Sequence, residues 1–187
     1  MIIKVCGITR REDALAAVEA GASALGFIFY RLSPRYVTVE RAAELGADLA
    51  VLKVGVFVDE APETIAGVMR TARLDIAQIY GGTAPLGARV WRAFRGPATP
   101  PLGDAEAVLL DSPQTGVPFD WRVARGVAER VIIAGGLDAL NVGEAIRIAE
   151  PWGVDASSRL ESSPGIKDHA RVRGFVQAAL AACEVHK

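Results

Sequence analysis

The chain has 187 residues, is 51% hydrophobic and carries a formal net charge of -1, enough to bury one sizeable core without a large field of either sign. No apolar run reaches the roughly 18 residues a spanning helix needs, and the start lacks the charged n-region and cleavage pattern of a signal peptide. The basic residues are spread out, so these features argue against nucleic-acid and membrane partners and set expectations of one domain over residues 1–187, a cytoplasmic location and a small-molecule ligand.

The first apolar, β-branched run ends at Lys4-Val5-Cys6-Gly7-Ile8-Thr9. Gly7 breaks it, and Thr9 is placed to cap a helix opening at Arg11, so the reading is strand, short loop, helix. Alternation puts Ile3 and Val5 on one strand face and Lys4 and Cys6 on the other, away from any covering helix. Seven further strand-like runs follow at residues 24–29, 51–58, 74–79, 89–94, 107–110, 131–134 and 152–156. Helical patterns fall at 11–20, 39–48, 62–71, 121–128, 139–149 and 168–183. Alternating strands and helices predict a parallel sheet covered by helices, and eight units predict closure into a (β/α)8 TIM barrel. The open doubly wound sheet competes, but its glycine signature after the first strand is missing, since Gly7 stands alone.

Residues 81–88 and the Pro- and Gly-rich 96–104 have no room for an ordinary amphipathic helix, so the fourth and fifth helical segments are shortened. With Gln78 inward on the fourth strand, Ala77 and Ile79 turn outward, and Trp91 is expected to turn outward on the fifth to cover the bare flank. Self-cover predicts a monomer, with a weak homodimer as the alternative.

Active sites of such barrels lie at the carboxyl ends of the strands. Cys6, Arg35, Asp59, Gln78, Asp111, Gly135, Gly136, Asp155, Ser157 and Ser158 all sit there. Each has a plainer explanation: a strand-end cysteine is commonly a small buried hydrophobe, and an aspartate a cap or turn residue. Their co-occurrence is what points to a site. Gly135-Gly136 lets backbone amides approach a ligand, and Ser157-Ser158 adds hydroxyls after the eighth strand, where barrels bind phosphate. Together they predict a phosphorylated substrate. His169 and His186 fall in or beyond the last helix, and Cys6 and Cys183 are far apart, so both thiols are expected free and neither a metal site, another cofactor nor a histidine triad is expected. Acid-base work falls to carboxylates, Cys6 and Lys4, with Lys4 placed to favour the Cys6 thiolate.

Over nearly its whole length the chain resembles the phosphoribosylanthranilate isomerases of tryptophan biosynthesis. Lys4 to Thr9 resembles the family's KxCGIT opening, and Phe27 to Val37 its second-strand signature. Leu109 to Ser112 with Phe119-Asp120-Trp121, Ile133 to Leu137, and Gly153-Val154-Asp155 through Ser163 to Asp168 resemble its sixth, seventh and eighth units. The resemblance implies an Amadori rearrangement of N-(5-phosphoribosyl)anthranilate to 1-(2-carboxyphenylamino)-1-deoxyribulose 5-phosphate. It also implies Asp111 as general acid, Cys6 as general base with a thiol needing only modest pKa lowering, and Arg35 against the anthranilate carboxylate. The remaining substrate-binding positions are then Gln78, Gly135, Gly136, Asp155, Ser157 and Ser158.

Two departures stand out. Gln78-Ile79-Tyr80-Gly81 replaces the usual Gln-Leu-His-Gly, leaving Tyr80 as a substitute hydrogen-bonding group. Arg159-Leu160-Glu161 replaces Gly-Val-Glu, so Arg159 either reinforces phosphate binding or faces solvent. The competing functions are a related histidine-pathway or dual-substrate sugar-phosphate isomerase and a non-catalytic phosphate-ligand barrel. Cys6 argues against the first, and Cys6 with Asp111 against the second.

Overall fold

The computed structural model describes residues 1–96, 103 and 105–184. Each apolar run forms a strand: β1 (Ile2–Cys6), β2 (Ala24–Ile28), β3 (Leu52–Val58), β4 (Ile76–Tyr80), β5 (Val90–Arg95), β6 (Ala107–Asp111), β7 (Val131–Ile133) and β8 (Gly153–Ala156). They pair in sequence order, all parallel, and β8 returns to β1 to close the barrel. The helices are α1 (Arg11–Ala20), α2 (Val39–Gly46), α3 (Pro62–Thr71), α4 (Val142–Ala149) and α5 (His169–Glu184). A small hairpin of β9 (Glu161–Ser163) and β10 (Ile166–Lys167) is inserted between β8 and α5.

Strand alternation splits the core in two. Ile3, Val5, Leu25, Phe27, Val108 and Ile133 point outward and pack with buried helix residues such as Ala14, Leu45, Ile146 and Phe175. Ala24, Val54, Ile76, Trp91, Ala93, Ala107, Leu109 and Ile132 fill the barrel interior, whose filling by side chains is what makes it a core rather than a pore. Trp91 therefore points into the barrel, not onto its flank: it lies opposite Gln78 in the β4–β5 register and meets Trp152 edge-on at 5.9 Å. The alanines at 24, 93 and 107 leave the room the indole takes.

Other local expectations change as well. The sixth unit carries only a single 3-10 turn, Trp121–Ala124. Thr9 does not cap α1; its hydroxyl donates to the Gly165 carbonyl and ties the first loop to the β9–β10 hairpin. Residues 81–89 contain turns and no helix, while most of the 96–104 loop and His186 lie outside the described residues.

The hairpin is also fastened through Asp13, a buried carboxylate on α1. It accepts from Arg10 Nε and Nη2 at 3.0 and 2.7 Å and from the Lys167 amide at 3.1 Å, and meets His169 Nε2 at 2.8 Å. Burial works against its charge, but the hydrogen bonds from Arg10, Lys167 and His169 outweigh it and hold the Asp13 pKa below the ordinary value. With a depressed folded pKa, Asp13 stabilises the fold above its unfolded value of about 3.9 and loses that contribution as pH falls through the folded one. Urea titrations from pH 7 downward are expected to show Asp13→Asn with a lower midpoint at pH 7 and a flatter loss below about pH 4.

Candidate active site

The closed sheet puts the last inward residue of each strand at one rim. Cys6, Gln78, Tyr80, Arg95, Asp111 and Asp155 all line a cleft of about 290 Å³ there. Arg35, Gly135, Gly136, Ser157 and Ser158 join from the following loops, so nine of the ten candidates expected from the sequence share one cavity. Asp59 does not. It sits in a left-handed turn with a carboxylate oxygen packed against Gly81, as a turn residue does. A larger hollow of about 860 Å³ lies on the outer face of β4 and β5, with Ile79, Val90 and Phe94 along it. Arg92 is its one ionisable group among the described residues, and that guanidinium is spent on the Gly81 and Gly82 carbonyls.

Cys6 and Asp111 end β1 and β6 on different sides of the cleft. Room for the thiol comes from Gly26 on the neighbouring strand, where a Cβ would stand 2.6 Å from Cys6 Sγ. A glycine inside a strand is the sequence signal of such a close approach. Beneath Cys6, Lys4 is fully buried and bonds Asp155 Oδ2 at 2.9 Å. Burial opposes the Lys4 charge, but Asp155 and the neighbouring Cys6 hold its pKa above the ordinary value. Burial also pushes the Cys6 thiol up, and the opposing pull of Lys4 does not reverse it. The modest lowering expected from the sequence is therefore not present: burial, helped by the nearby Asp155 charge, outweighs Lys4 and keeps the thiol protonated at neutral pH.

Asp111 has the environment of an acid. Burial and the Asp155 charge raise its pKa, against Arg95 and a hydrogen bond from Tyr80. The Tyr80 hydroxyl donates to Asp111 Oδ2 at 3.2 Å and accepts from Gln78 Nε2 at 3.4 Å. Burial, then Asp111, pushes the Tyr80 pKa well above the ordinary phenol value, so it stays a neutral donor. Asp155 is less a contact at the mouth than the buried partner of Lys4.

On the opposite side the loops after β7 and β8 meet. Gly135 and Gly136 both take positive φ, and added Cβ atoms would strike Ser112 at 2.4 Å and the Val117–Pro118 backbone at 2.7 Å. Close packing against the β6 loop thus requires glycine at both positions, and it places their backbone on the cleft. Ser157 Oγ donates to the Cys6 carbonyl at 3.0 Å, leaving Ser158 as the freer hydroxyl. Arg159 is committed to the Gly116 carbonyl and Asp138, at 3.2 and 3.0 Å. Arg35 lies over Gly7 and grips Glu161 with Nε and Nη2, at 2.8 and 2.7 Å. Glu161 and its second partner, Lys167, belong to the β9–β10 hairpin and were not singled out by the sequence; a buried acid and a buried base six residues apart carry no signal until the hairpin is seen. Among the described residues no group of histidine, cysteine, aspartate and glutamate side chains could hold a metal ion. None of their helices is long and apolar enough to cross a membrane.

Residues 3–178 match the family model described as N-(5'phosphoribosyl)anthranilate (PRA) isomerase. The chain is 47% identical over 199 residues to the N-(5'-phosphoribosyl)anthranilate isomerase of Solibacter usitatus, covering 97% of this chain and 98% of the relative. The crystal structure of the Thermus thermophilus enzyme superposes with a TM-score of 0.88 at 36% identity, over 97% of this chain and 99% of that one. A phosphoribosyl anthranilate isomerase in complex with reduced 1-(o-carboxyphenylamino)-1-deoxyribulose 5-phosphate superposes at 0.83 with 35% identity, over 97% of this chain and all of the other. The closed eight-stranded order and these similarities agree, and the chain belongs to the N-(5'-phosphoribosyl)anthranilate isomerase family.

Proposed function

We propose that Asp111 and Cys6 are the acid and base of an Amadori rearrangement carried out in this cleft. The substrate is N-(5-phosphoribosyl)anthranilate and the product 1-(2-carboxyphenylamino)-1-deoxyribulose 5-phosphate. The observation that carries the reading is the placement of a carboxyl with a raised pKa and a thiol at the ends of β6 and β1, across one cavity.

Asp111 gives its proton to the ribose ring oxygen. The C1–O bond breaks toward that oxygen, and the anilino nitrogen lone pair closes an iminium to C1. That positive charge acidifies the C2 hydrogen and, with Lys4, favours loss of the Cys6 thiol proton to solvent, giving the thiolate that burial alone disfavours. The thiolate takes the C2 proton, the C–H electrons form the C1=C2 bond of an enolamine, and the iminium electrons return to nitrogen. Tautomerisation gives the ketone. The phosphate rests on the Gly135-Gly136 backbone and Ser158, and the anthranilate carboxylate faces Arg35.

Loss of substrate fluorescence under steady-state conditions tests the activity, and no turnover by folded protein would refute it. Arg35→Ala is expected to raise KM about tenfold or more with kcat changed far less, because the carboxylate contact exists in ground and transition states alike. An unchanged KM would remove Arg35 from the site. The family match over residues 3–178 disfavours both the histidine-pathway isomerase and the non-catalytic barrel. With this reading go a cytoplasmic location and a monomer or weak homodimer that binds neither nucleic acid nor membrane.

A further inference from the structure

We propose that Glu161 is a positioning residue for substrate recognition: it holds one edge of the Arg35 guanidinium so that the other edge meets the substrate carboxylate. The inference rests on the assignment of Arg35 to that carboxylate. A guanidinium offers a carboxylate either its side, through Nε and Nη2, or its end, through Nη1 and Nη2. Glu161 takes the side, accepting from Nε at 2.8 Å and Nη2 at 2.7 Å. Among the described residues Nη1 meets no hydrogen-bond partner, and Arg35 lines the cleft. A second carboxylate therefore has one planar edge left to bind, in a plane that Glu161 has already set.

The glutamate is itself anchored. Its side chain is 3% exposed, and Lys167 Nζ, fully buried, bonds Oε1 at 2.8 Å. Arg171 Nη1 donates to the Glu161 carbonyl at 2.6 Å. Arg35 and Lys167 share the single charge of Glu161; burial holds the Lys167 pKa below the ordinary value against the pull of Glu161, and its 2.8 Å bond to Oε1 leaves Arg35 part of its positive charge for an incoming anion. A lone Arg35–Glu161 pair would offer none. Burial works against the Glu161 carboxylate, but Arg35 and Lys167 hold its pKa below the ordinary value. Lys167 Nζ also lies 3.2 Å from the Ser157 carbonyl, next to the Cys6 loop. The β9–β10 hairpin, which carries Glu161 and Lys167, is thus a jig for the second-strand loop and not a mere link to α5.

Glu161→Gln keeps the shape and removes the charge, whereas Glu161→Asp keeps the charge and withdraws it from the fork. Both are expected to raise KM about tenfold with kcat within about threefold, the signature of weakened binding common to ground and transition states. In an Arg35→Ala background the same substitutions are expected to add nothing to KM, because the residue they act through is gone. If Glu161→Gln fails to fold, judged by circular dichroism, Glu161→Asp carries the test, since Lys167 retains an anionic partner. A raised KM in Arg35→Ala beside unmoved values in the Glu161 variants would overturn this inference alone, as would additive effects in the double variants. An unmoved KM in Arg35→Ala would overturn the carboxylate assignment and this inference with it.

Discussion

Asp111→Asn is expected to lower kcat by about 10²- to 10⁴-fold with KM within a few fold, and Cys6→Ala to do the same. The two losses arise at different steps. An amide in place of the Asp111 carboxyl keeps a polar group near the Tyr80 hydroxyl but has no acidic proton for the ring oxygen, so the C1–O bond has no acid to leave toward. Without the thiol the ring can open, yet nothing at the end of β1 accepts the C2 proton. Lys4 cannot replace it, being fully buried, raised in pKa and bonded to Asp155 at 2.9 Å. Rates of purified, folded variants in the fluorescence assay decide the matter; a variant retaining most of the wild-type kcat would lose its residue the assigned role.

Trp91→Ala is expected to destabilise the fold by about 3–5 kcal/mol, the usual loss for a fully buried tryptophan. For a chain of this size that lowers Tm by on the order of 10 °C. The indole fills the barrel floor beside Trp152, Ile76 and Leu109, and small neighbours at 24, 93 and 107 have no bulk to collapse into the space. Its layer lies deeper in the barrel than the rim where Asp111 and Cys6 stand, so kcat of the folded variant is expected to change much less than Tm. Thermal unfolding followed by circular dichroism checks this, and a Tm within about 2 °C of wild type would contradict the interior placement.

Trp91 also marks where the sequence stops being legible. The barrel and its rim followed from eight apolar runs ending in polar residues; Cys6 lies on the face that alternation assigned, Ala77 and Ile79 turn outward as expected with Gln78 inward, and Asp111 stands at the mouth where its strand-end position put it. For β5 alternation was not enough. Val90, Trp91, Ala93 and Phe94 supply apolar residues to both faces, and only the β4–β5 register, with Trp91 opposite Gln78, fixes which side the indole takes. The thiol pKa failed for a related reason: Lys4 is close to Cys6 on the strand, but burial in the closed barrel and the Asp155 charge, brought from 151 residues away beside Lys4, outweigh it. Arg35 and Glu161 are likewise 126 residues apart. The first pairing depends on β8 closing against β1 and the second on how the hairpin docks, and no local pattern encodes either.

The division of labour between the carboxyl and the thiol is tested most directly with substrate deuterated at ribose C2, using the conservative variants Cys6→Ser and Asp111→Glu. A serine hydroxyl is a weaker base, so in Cys6→Ser removal of the C2 hydrogen becomes the slow step and a full primary isotope effect on kcat is expected. In Asp111→Glu the displaced acid slows ring opening instead, and the isotope effect is expected to shrink toward unity. Equal isotope effects in the two variants, or the reverse order, would contradict the assignment of Cys6 as base and Asp111 as acid.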